Sequence, residues 1–202
     1  MRPQVRWGVV AASAVVLALL AVRVRHAGPI GPDLPASEAL QSLAPSLDAV
    51  MRVFSAAGSI PGVAVLGGAV AVALLRRRRF RAAALVVATG SAEVVTLALR
   101  FATDRPRPSP QLVEVMESGF GTSFPSGHAA DAAALGMLVA QLVPSGDRRR
   151  RQVWIGLSLF ALASGISRIY LGAHWLTDVA GGYLVGAAIG LSLGGLLRRG
   201  VE

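Results

Sequence analysis

Two of the three histidines in this chain occur in patterns that could do chemistry, and the first lies in the stretch Phe-Pro-Ser-Gly-His-Ala-Ala at residues 124–130. A polar, proline-rich segment gives way there to an apolar run with helical character. The first turn of a helix presents unpaired N–H groups and the positive end of the helix dipole, which favour an anion. Ser126 adds a hydroxyl and His128 a titratable ring. Because serine followed by glycine also caps helices for structural reasons alone, this stretch needs support from the rest of the chain.

The second pattern is His174 followed by Asp178. At this i, i+4 spacing the two side chains share a face if a helix begins here, so the carboxylate can hold the imidazole N–H. Two histidines can then divide the work of a nucleophile and a proton donor. The chain has no cysteine and no cluster of carboxylates and histidines with metal-ligand spacing, so we expect neither a metal nor a cofactor.

Four arginines accompany these patterns along the chain: Arg100, Arg105, Arg107 and Arg168. A guanidinium fork binds phosphate through two hydrogen bonds. Several forks together offset the charge that develops on the phosphoryl oxygens during transfer. The combination of two histidines, a carboxylate and several arginines therefore favours phosphoryl-transfer chemistry.

The elements that position these residues are predicted to be membrane helices. Of the 202 residues, 53% are hydrophobic and only 15% charged, and the mean hydropathy is +0.58. This is too apolar for an ordinary soluble domain, and the apolar residues come in long blocks. We expect an all-α, six-helix transmembrane bundle with spans at Trp7–Val22, Val53–Leu75, Ala82–Leu99, Ser126–Val143, Val153–Ser167 and Asp178–Leu197.

Residues 1–52 are expected to comprise a first helix, retained rather than cleaved as a signal peptide, and an outer amphipathic connector. Residues 53–202 are expected to form the catalytic helical core of a single membrane domain. The connector can cover the bundle or contribute to a lipid entry route. A proline at position 61 is read as a kink that the second span tolerates.

Charge placement predicts the topology. All 20 basic residues are arginine, and with six spans and an inside N-terminus 13 of them fall in inside segments. Both termini are therefore expected in the cytoplasm, in a multi-pass protein of the plasma membrane. The net charge of +9 does not indicate a nucleic-acid partner, because the arginines lie in short clusters between apolar blocks. The four arginines near the histidines fall on the outer face against this rule, so they need another reason to be there.

These residues resemble the three-part signature of the type 2 phosphatidic acid phosphatase superfamily, which are membrane lipid phosphatases. The matching motifs are Arg100-x6-Arg107-Pro108, Pro125-Ser126-Gly127-His128 and Ser167-Arg168-x5-His174-x3-Asp178. The resemblance covers roughly residues 53 to 197. One position departs from the family pattern, since Arg100 stands where the family has lysine. The chain contains no lysine at all, so the exchange is consistent with its general composition.

The resemblance implies a role for each matched residue. His174 would attack phosphorus and form a phosphohistidine, while Asp178 would orient its other ring nitrogen. His128 would protonate the leaving alkoxide and then help to activate water. The phosphoryl oxygens would be held by Arg100, Arg107, Arg168, the Ser126 hydroxyl and the Gly127 N–H. Members of the family work without a metal cofactor.

Three further residues are candidates for supporting roles. Glu93, about two helical turns before Arg100, could brace that arginine, since a carboxylate inside a span is costly unless it is paired. Asp131 could keep His128 protonated, or it could pack beside a hydroxyl of another helix. Arg105 could act as a supporting or head-group contact, or be a solvated loop charge.

We therefore expect a metal-independent lipid phosphatase with an extracytoplasmic active site. Phosphatidic acid, phosphatidylglycerophosphate and undecaprenyl diphosphate all fit this chemistry, and an outward-facing site favours a polyprenyl diphosphate. The alternatives are a non-catalytic protein that binds or transports anionic lipids, and a relative of the vanadate-dependent haloperoxidases. Six spans argue against the haloperoxidase, because those enzymes are typically soluble and larger.

Overall fold

The computed structural model describes residues 2–43, 45–144 and 146–198. Within these residues all regular secondary structure is helical, in agreement with the predicted all-α class. The helices are α1 (Pro3–Val24), α2 (Asp33–Gln41), α3 (Asp48–Gly58), α4 (Ile60–Arg76), α5 (Phe80–Ala88), α6 (Ser91–Thr103), α7 (Gly127–Leu142), α8 (Arg149–Tyr170) and α9 (Leu176–Arg198), with a short 3-10 turn at Pro45–Leu47.

In the described part of the chain, four helical segments are long and apolar enough to cross a membrane. They are α1, the nearly continuous α5–α6 segment Phe80–Thr103, α8 and α9; the bent pair α3–α4 makes a fifth if it forms one span. The predicted fourth span corresponds to α7, which has only 16 residues, fewer than the roughly 20 needed to cross the hydrocarbon core. The multi-pass architecture is confirmed, and the count of six spans stays a prediction.

The bundle is organised around α7. This helix packs against α9, α8, α6 and α4, and most of its side chains are buried. Helix α1 packs on α9, while α2 and α3 lie against α8. The amphipathic connector is thus in contact with the bundle, as a covering segment would be.

The predicted second span is divided into two helices. Helices α3 and α4 meet at an angle of 61°. Helix α3 ends at Gly58, and Ser59 caps α4 by accepting a hydrogen bond from Gly62 N at 3.2 Å. Pro61 lies in the first turn of α4, where its missing N–H costs nothing and its fixed φ suits a helix start. The proline therefore begins a new helix instead of kinking a continuous one.

Small residues allow α7 and α9 to approach each other closely. A Cβ atom added at Gly186 would overlap the Ala130 carbonyl oxygen, and one added at Gly190 would lie 2.6 Å from Met137 Cβ. Close backbone approach of this kind is how helices gain packing energy in lipid, because the hydrophobic effect does not drive helices together there. The α7–α9 contact fixes the relative positions of the two helix N-termini, where the Pro-Ser-Gly-His motif and the His174–Asp178 pair lie.

We expect Gly186→Ala to destabilise the protein through this contact. Overpacking of this kind costs about 2 kcal/mol, which should lower the apparent melting temperature in detergent by about 5 °C. Gly156→Ala on α8 is the matched control, because a Cβ there meets nothing within 4 Å. Equal melting temperatures for the two variants would contradict a tight α7–α9 interface.

Candidate active site

The predicted site residues meet at one end of the bundle around a cavity of about 600 Å³. The cavity lies between the C-terminal ends of α6 and α8 and the N-terminal end of α7. Its lining includes the two motif histidines, three of the arginines and the glycine of the second motif, namely His128, His174, Arg100, Arg107, Arg168 and Gly127. The three motifs, far apart along the chain, thus enclose one space.

His174 and Asp178 form the buried dyad that their spacing predicts. His174 lies in the turn before α9, and its Nδ1 is 3.5 Å from Asp178 Oδ2. The same carboxylate oxygen accepts hydrogen bonds from the Ser123 hydroxyl and, at 2.9 Å, from Trp175 N. The other oxygen, Oδ1, lies 2.5 Å from Arg105 Nη1. The carboxylate is therefore fixed on both oxygens.

The second ring nitrogen of His174 faces the arginines of the cavity. Arg107 Nη1 lies 3.2 Å from His174 Nε2. Because a guanidinium can only donate, Nε2 must be the unprotonated nitrogen, and the ring proton sits on Nδ1 beside Asp178. A lone pair on Nε2 beside a guanidinium that could hold an anion is the geometry that a nucleophile requires.

Burial lowers the pKa of His174 to about 3, and the positive charges of Arg107 and Arg168 act in the same direction. The hydrogen bond to Asp178 opposes the shift without cancelling it. Burial and the neighbouring Arg100 lower the pKa of Arg107 to about 10. At neutral pH the site therefore presents a neutral imidazole next to a charged guanidinium.

Backbone carbonyls hold Arg107 in place. Its Nη1 donates to Ala173 O at 2.8 Å, Nε to Gly121 O at 3.1 Å and Nη2 to Phe120 O at 3.1 Å. A Cβ atom on Gly119 would collide with the guanidinium. The loop before the second motif is thus built closely around this side chain.

The other two arginines are each paired with a glutamate. Arg100 Nε donates to Pro125 O at 3.2 Å, and its Nη1 lies 3.4 Å from Glu93 Oε1. Arg168 Nη1 pairs with Glu117 and with the Ser55 hydroxyl. The Nε atom of Arg168 is buried and has no hydrogen-bond partner in the described part of the chain. Arg168 therefore retains an unused donor.

The start of α7 provides donors without an internal cap. Ser126 precedes the helix, but its side chain makes no capping hydrogen bond, and its buried Oγ has no partner among the described residues. A Cβ on Gly127 would lie 2.6 Å from Glu93 Oε2 and 3.0 Å from Arg100 Nη2, so a larger residue here would displace the ends of these two side chains. His128 is half-buried at the cavity wall. A free hydroxyl and an uncapped helix N-terminus suit a phosphoryl group.

For two of the supporting residues the structure bears on the alternatives that the sequence left open. Arg105 is fully buried with 0% exposure, so its interpretation as a solvated loop charge is wrong. Asp131 forms no ion pair with His128 within the described residues; it lines a second cavity together with Glu93. Glu93 itself lies beside Arg100, where a bracing carboxylate was expected.

Sequence reasoning missed three residues that contact the site, Ser55, Glu117 and Ser123, and one that contacts Arg105 behind it, Asp33. Ser123 lies two residues before Pro125 and bonds Asp178. Asp33 is 72 positions from its partner Arg105. Only an unexplained polar residue in an otherwise Gly- and Pro-rich segment could have drawn attention to any of them. Among the described residues, no group of three or more His, Cys, Asp or Glu side chains is arranged to hold a metal ion.

Comparison with known protein families identifies the family of this chain. The sequence profile of the PAP2 superfamily matches residues 81–197. The chain belongs to the PAP2 superfamily. The matched region includes all three motifs and excludes α1 to α4, so Ser55 and Asp33 lie outside the part that defines the family.

Individual relatives and structures show how far the likeness extends. Phosphatidylglycerophosphatase B of Bacillus subtilis (strain 168) is 41% identical over 76 residues, 36% of each chain. Mouse glucose-6-phosphatase 3 is 36% identical over 97 residues, 45% of this chain and 28% of the relative. The matches thus span about a third of these relatives.

In fold, a Bacillus subtilis transmembrane PAP2-type phosphatidylglycerolphosphate phosphatase superposes with a TM-score of 0.83 at 22% identity, covering 94% of this chain and 96% of the other. Aquifex aeolicus LpxE gives 0.65 at 25% identity, with 81% and 95% covered.

The low pKa of His174 predicts how stability depends on pH. As pH falls below 6.5 the unfolded chain takes up a proton at His174, whereas the folded protein keeps the ring neutral down to about 3. The unfolded state then binds more protons, so stability falls with pH in this window. Between about pH 7 and about pH 5, the wild type should lose about 2 kcal/mol more stability than His174→Gln.

Thermal or denaturant unfolding in detergent at a series of pH values measures this difference. Ser37→Ala serves as control, because Ser37 does not titrate and its curve should run parallel to that of the wild type. A His174→Gln curve that is also parallel to the wild type would show that the ring protonates in the folded state.

Proposed function

We propose that this protein is an integral membrane phosphatase that removes the terminal phosphate of a lipid phosphate or polyprenyl diphosphate through a phosphohistidine at His174. The observation that carries the proposal is the position of His174 Nε2, which lies 3.2 Å from Arg107 Nη1 in a cavity shared with three arginines. Membership of the PAP2 superfamily supports the lipid phosphatase class. Metal independence and a site on the extracytoplasmic face are parts of the same proposal.

In the first step, Nε2 of His174 attacks phosphorus as the bond from phosphorus to the leaving oxygen breaks. His128, which lines the same cavity, gives a proton to that oxygen and releases the lipid alcohol or lipid monophosphate. Asp178 holds the Nδ1 proton and stabilises the positive charge that the phosphorylated ring acquires. In the second step, water attacks phosphorus with His128 as base, and the bond from nitrogen to phosphorus breaks.

Positive charge stabilises the transition state. Arg100, Arg107, Arg168 and Gly127 line the cavity, so the N–H groups at the start of α7 supply further donors. The adjacent Ser126 hydroxyl is buried and has no partner among the described residues, although Ser126 does not line the cavity. These groups are held in place before substrate arrives, so little reorganisation is needed when charge builds on the equatorial oxygens. A non-catalytic head-group binder would have no use for a buried His–Asp pair beside these donors.

A second cavity supports a substrate with a long apolar chain. It has a volume of about 290 Å³ and shares Ile60 and Glu93 with the catalytic cavity. Its walls come mainly from aliphatic side chains and glycines of α4 and α5, with Thr89 and Gly90 before α6 and the carboxylates of Glu93 on α6 and Asp131 on α7 at its polar end. A phosphate in the first cavity can therefore extend its hydrocarbon chain into the second, along helices that face the membrane.

Replacement of either motif histidine should abolish turnover. His174→Ala removes the nucleophile and His128→Ala the proton donor, so each should lower kcat by at least about a thousandfold. Phosphate release is measured with EDTA present on phosphatidic acid, phosphatidylglycerophosphate and undecaprenyl diphosphate.

His26→Ala is the control, because the His26 side chain is 60% exposed and its ion pair among the described residues is with Asp104, away from the cavity. Rapid quenching with ³²P-labelled substrate should label the wild type at histidine and leave His174→Ala unlabelled. Wild-type turnover in either motif variant would overturn the mechanism, and head-group binding without turnover in the wild type would favour the lipid-binding alternative. Peroxidase activity after addition of vanadate would instead indicate a haloperoxidase.

The second cavity predicts a dependence on chain length. Gly68 lines it and has nothing within 4 Å of an added Cβ, so Gly68→Phe should fill the cavity without distorting the bundle. KM for a dioleoyl lipid phosphate should rise about tenfold, while KM for the dihexanoyl analogue should stay unchanged. Gly156→Phe, equally open but on α8, is the control. Equal effects on both lipids would show that the chain binds elsewhere.

A further inference from the structure

Arg105 lies outside the phosphate cavity and is fully buried behind it. All of its nitrogen atoms make hydrogen bonds. Nη1 donates to Asp178 Oδ1 at 2.5 Å and to Thr177 Oγ1 at 2.7 Å. Nη2 donates to Asp33 Oδ2 at 2.6 Å and to Gly28 O at 3.0 Å, while Nε lies 3.4 Å from Ala27 O. A planar fork is the one side chain that can join two carboxylates in this way.

Asp33, at the start of α2, completes the arrangement from the other side. It is also fully buried. Its Oδ1 accepts hydrogen bonds from Thr177 N at 2.8 Å and Thr177 Oγ1 at 2.9 Å, and its Oδ2 from Ile30 N at 2.9 Å. The N-terminal segment before α2 is thereby tied to the first turn of α9, the turn that carries Asp178.

The two oxygens of Asp178 are divided between this network and the nucleophile. Oδ1 faces Arg105, whereas Oδ2 faces the His174 ring, Ser123 and Trp175 N. Fixing Oδ1 fixes the plane of the carboxylate and hence the direction in which Oδ2 meets His174 Nδ1. A buried charge that loses its partner is strongly destabilised, so the carboxylate should turn if Arg105 is removed.

We propose that Arg105, clamped by Asp33, is a positioning residue that orients Asp178 and so aims the Nε2 of His174 at the substrate phosphorus. This inference rests on the proposed phosphohistidine mechanism. Arg105 does not line the cavity that would hold phosphate. Its loss should therefore slow the chemical step without weakening phosphate binding.

The test compares Arg105→Lys, Arg105→Gln and Asp33→Asn with the wild type on a lipid phosphate in detergent. We expect kcat to fall about a hundredfold in Arg105→Gln, about tenfold in Arg105→Lys and about fivefold in Asp33→Asn, as for other residues that orient a reacting group. KM and the inhibition constant of inorganic phosphate should change by less than about twofold. Lysine keeps a positive charge next to Asp178 but cannot join both carboxylates as the planar guanidinium does. Partial recovery in Arg105→Lys therefore separates the effect of the charge from the effect of the two-carboxylate clamp.

Ser37→Ala is the matched control. Ser37 is buried on the same helix as Asp33 and donates only to its backbone carbonyl, at 3.1 Å. It should lose some thermal stability and keep wild-type kcat. Each preparation is assayed as the monodisperse fraction from size exclusion, so that misfolded protein does not enter kcat.

The outcomes are distinct. Wild-type kcat in folded Arg105→Lys and Asp33→Asn would overturn the positioning role. The role would also be overturned if the test variants and the Ser37→Ala control all lost kcat and phosphate affinity together. If Arg105→Gln does not fold, the lysine and asparagine variants decide alone. A wild-type protein that releases no phosphate from any lipid would instead refute the proposed function.

Discussion

The site depends on the buried carboxylate of Asp178. It has no exposure to solvent, and its donors come from separate parts of the chain: Arg105 and Ser123 in the loop between α6 and α7, and His174 and Trp175 in the turn before α9. A buried carboxylate is tolerated only when its oxygens are hydrogen-bonded or paired with charge. The cost of leaving it unsatisfied therefore holds the two loops against each other, and the position of the His174 ring follows from that closure.

On the cavity side His174 faces positively charged arginines, in contrast to the buried negative charge of Asp178 behind the ring. The imidazole is neutral, and three arginines share the space, two of them paired with Glu93 and Glu117. Such pairing reduces the cost of holding several positive charges close together in a partly buried space. Within the described part of the chain Arg107 forms no ion pair with a carboxylate and is held by backbone carbonyls instead, with a pKa lowered to about 10 by burial and Arg100. The cavity consequently keeps a positive potential where an anion would bind, next to a nitrogen that remains a free base.

Local spacing was enough to predict that His174 and Asp178 meet and that a helix begins at the Ser-Gly-His stretch, because both features depend on only one turn of chain. The partners that hold those groups could not be predicted, because their contacts are long-range: Asp33 reaches Arg105 across 72 positions and Ser55 reaches Arg168 across 113. The count of six spans stays a prediction, because the segment predicted as the fourth span forms a helix of only 16 residues that is surrounded by other helices.

The break at Ser59 explains how one segment serves both cavities. Helix α3 lies against α8, and Gly58 lets it approach so closely that a Cβ there would overlap the Ser164 hydroxyl. This approach brings Ser55 to Arg168. Helix α4 then leaves at 61° and lines the second cavity from Ile60 onward. A continuous helix could not follow both directions: along α8 it would leave the second cavity without one wall, and along α4 it would carry Ser55 away from Arg168. The serine cap and the proline after it, which together end one helix and begin another, are therefore what connects the polar cavity to the apolar one.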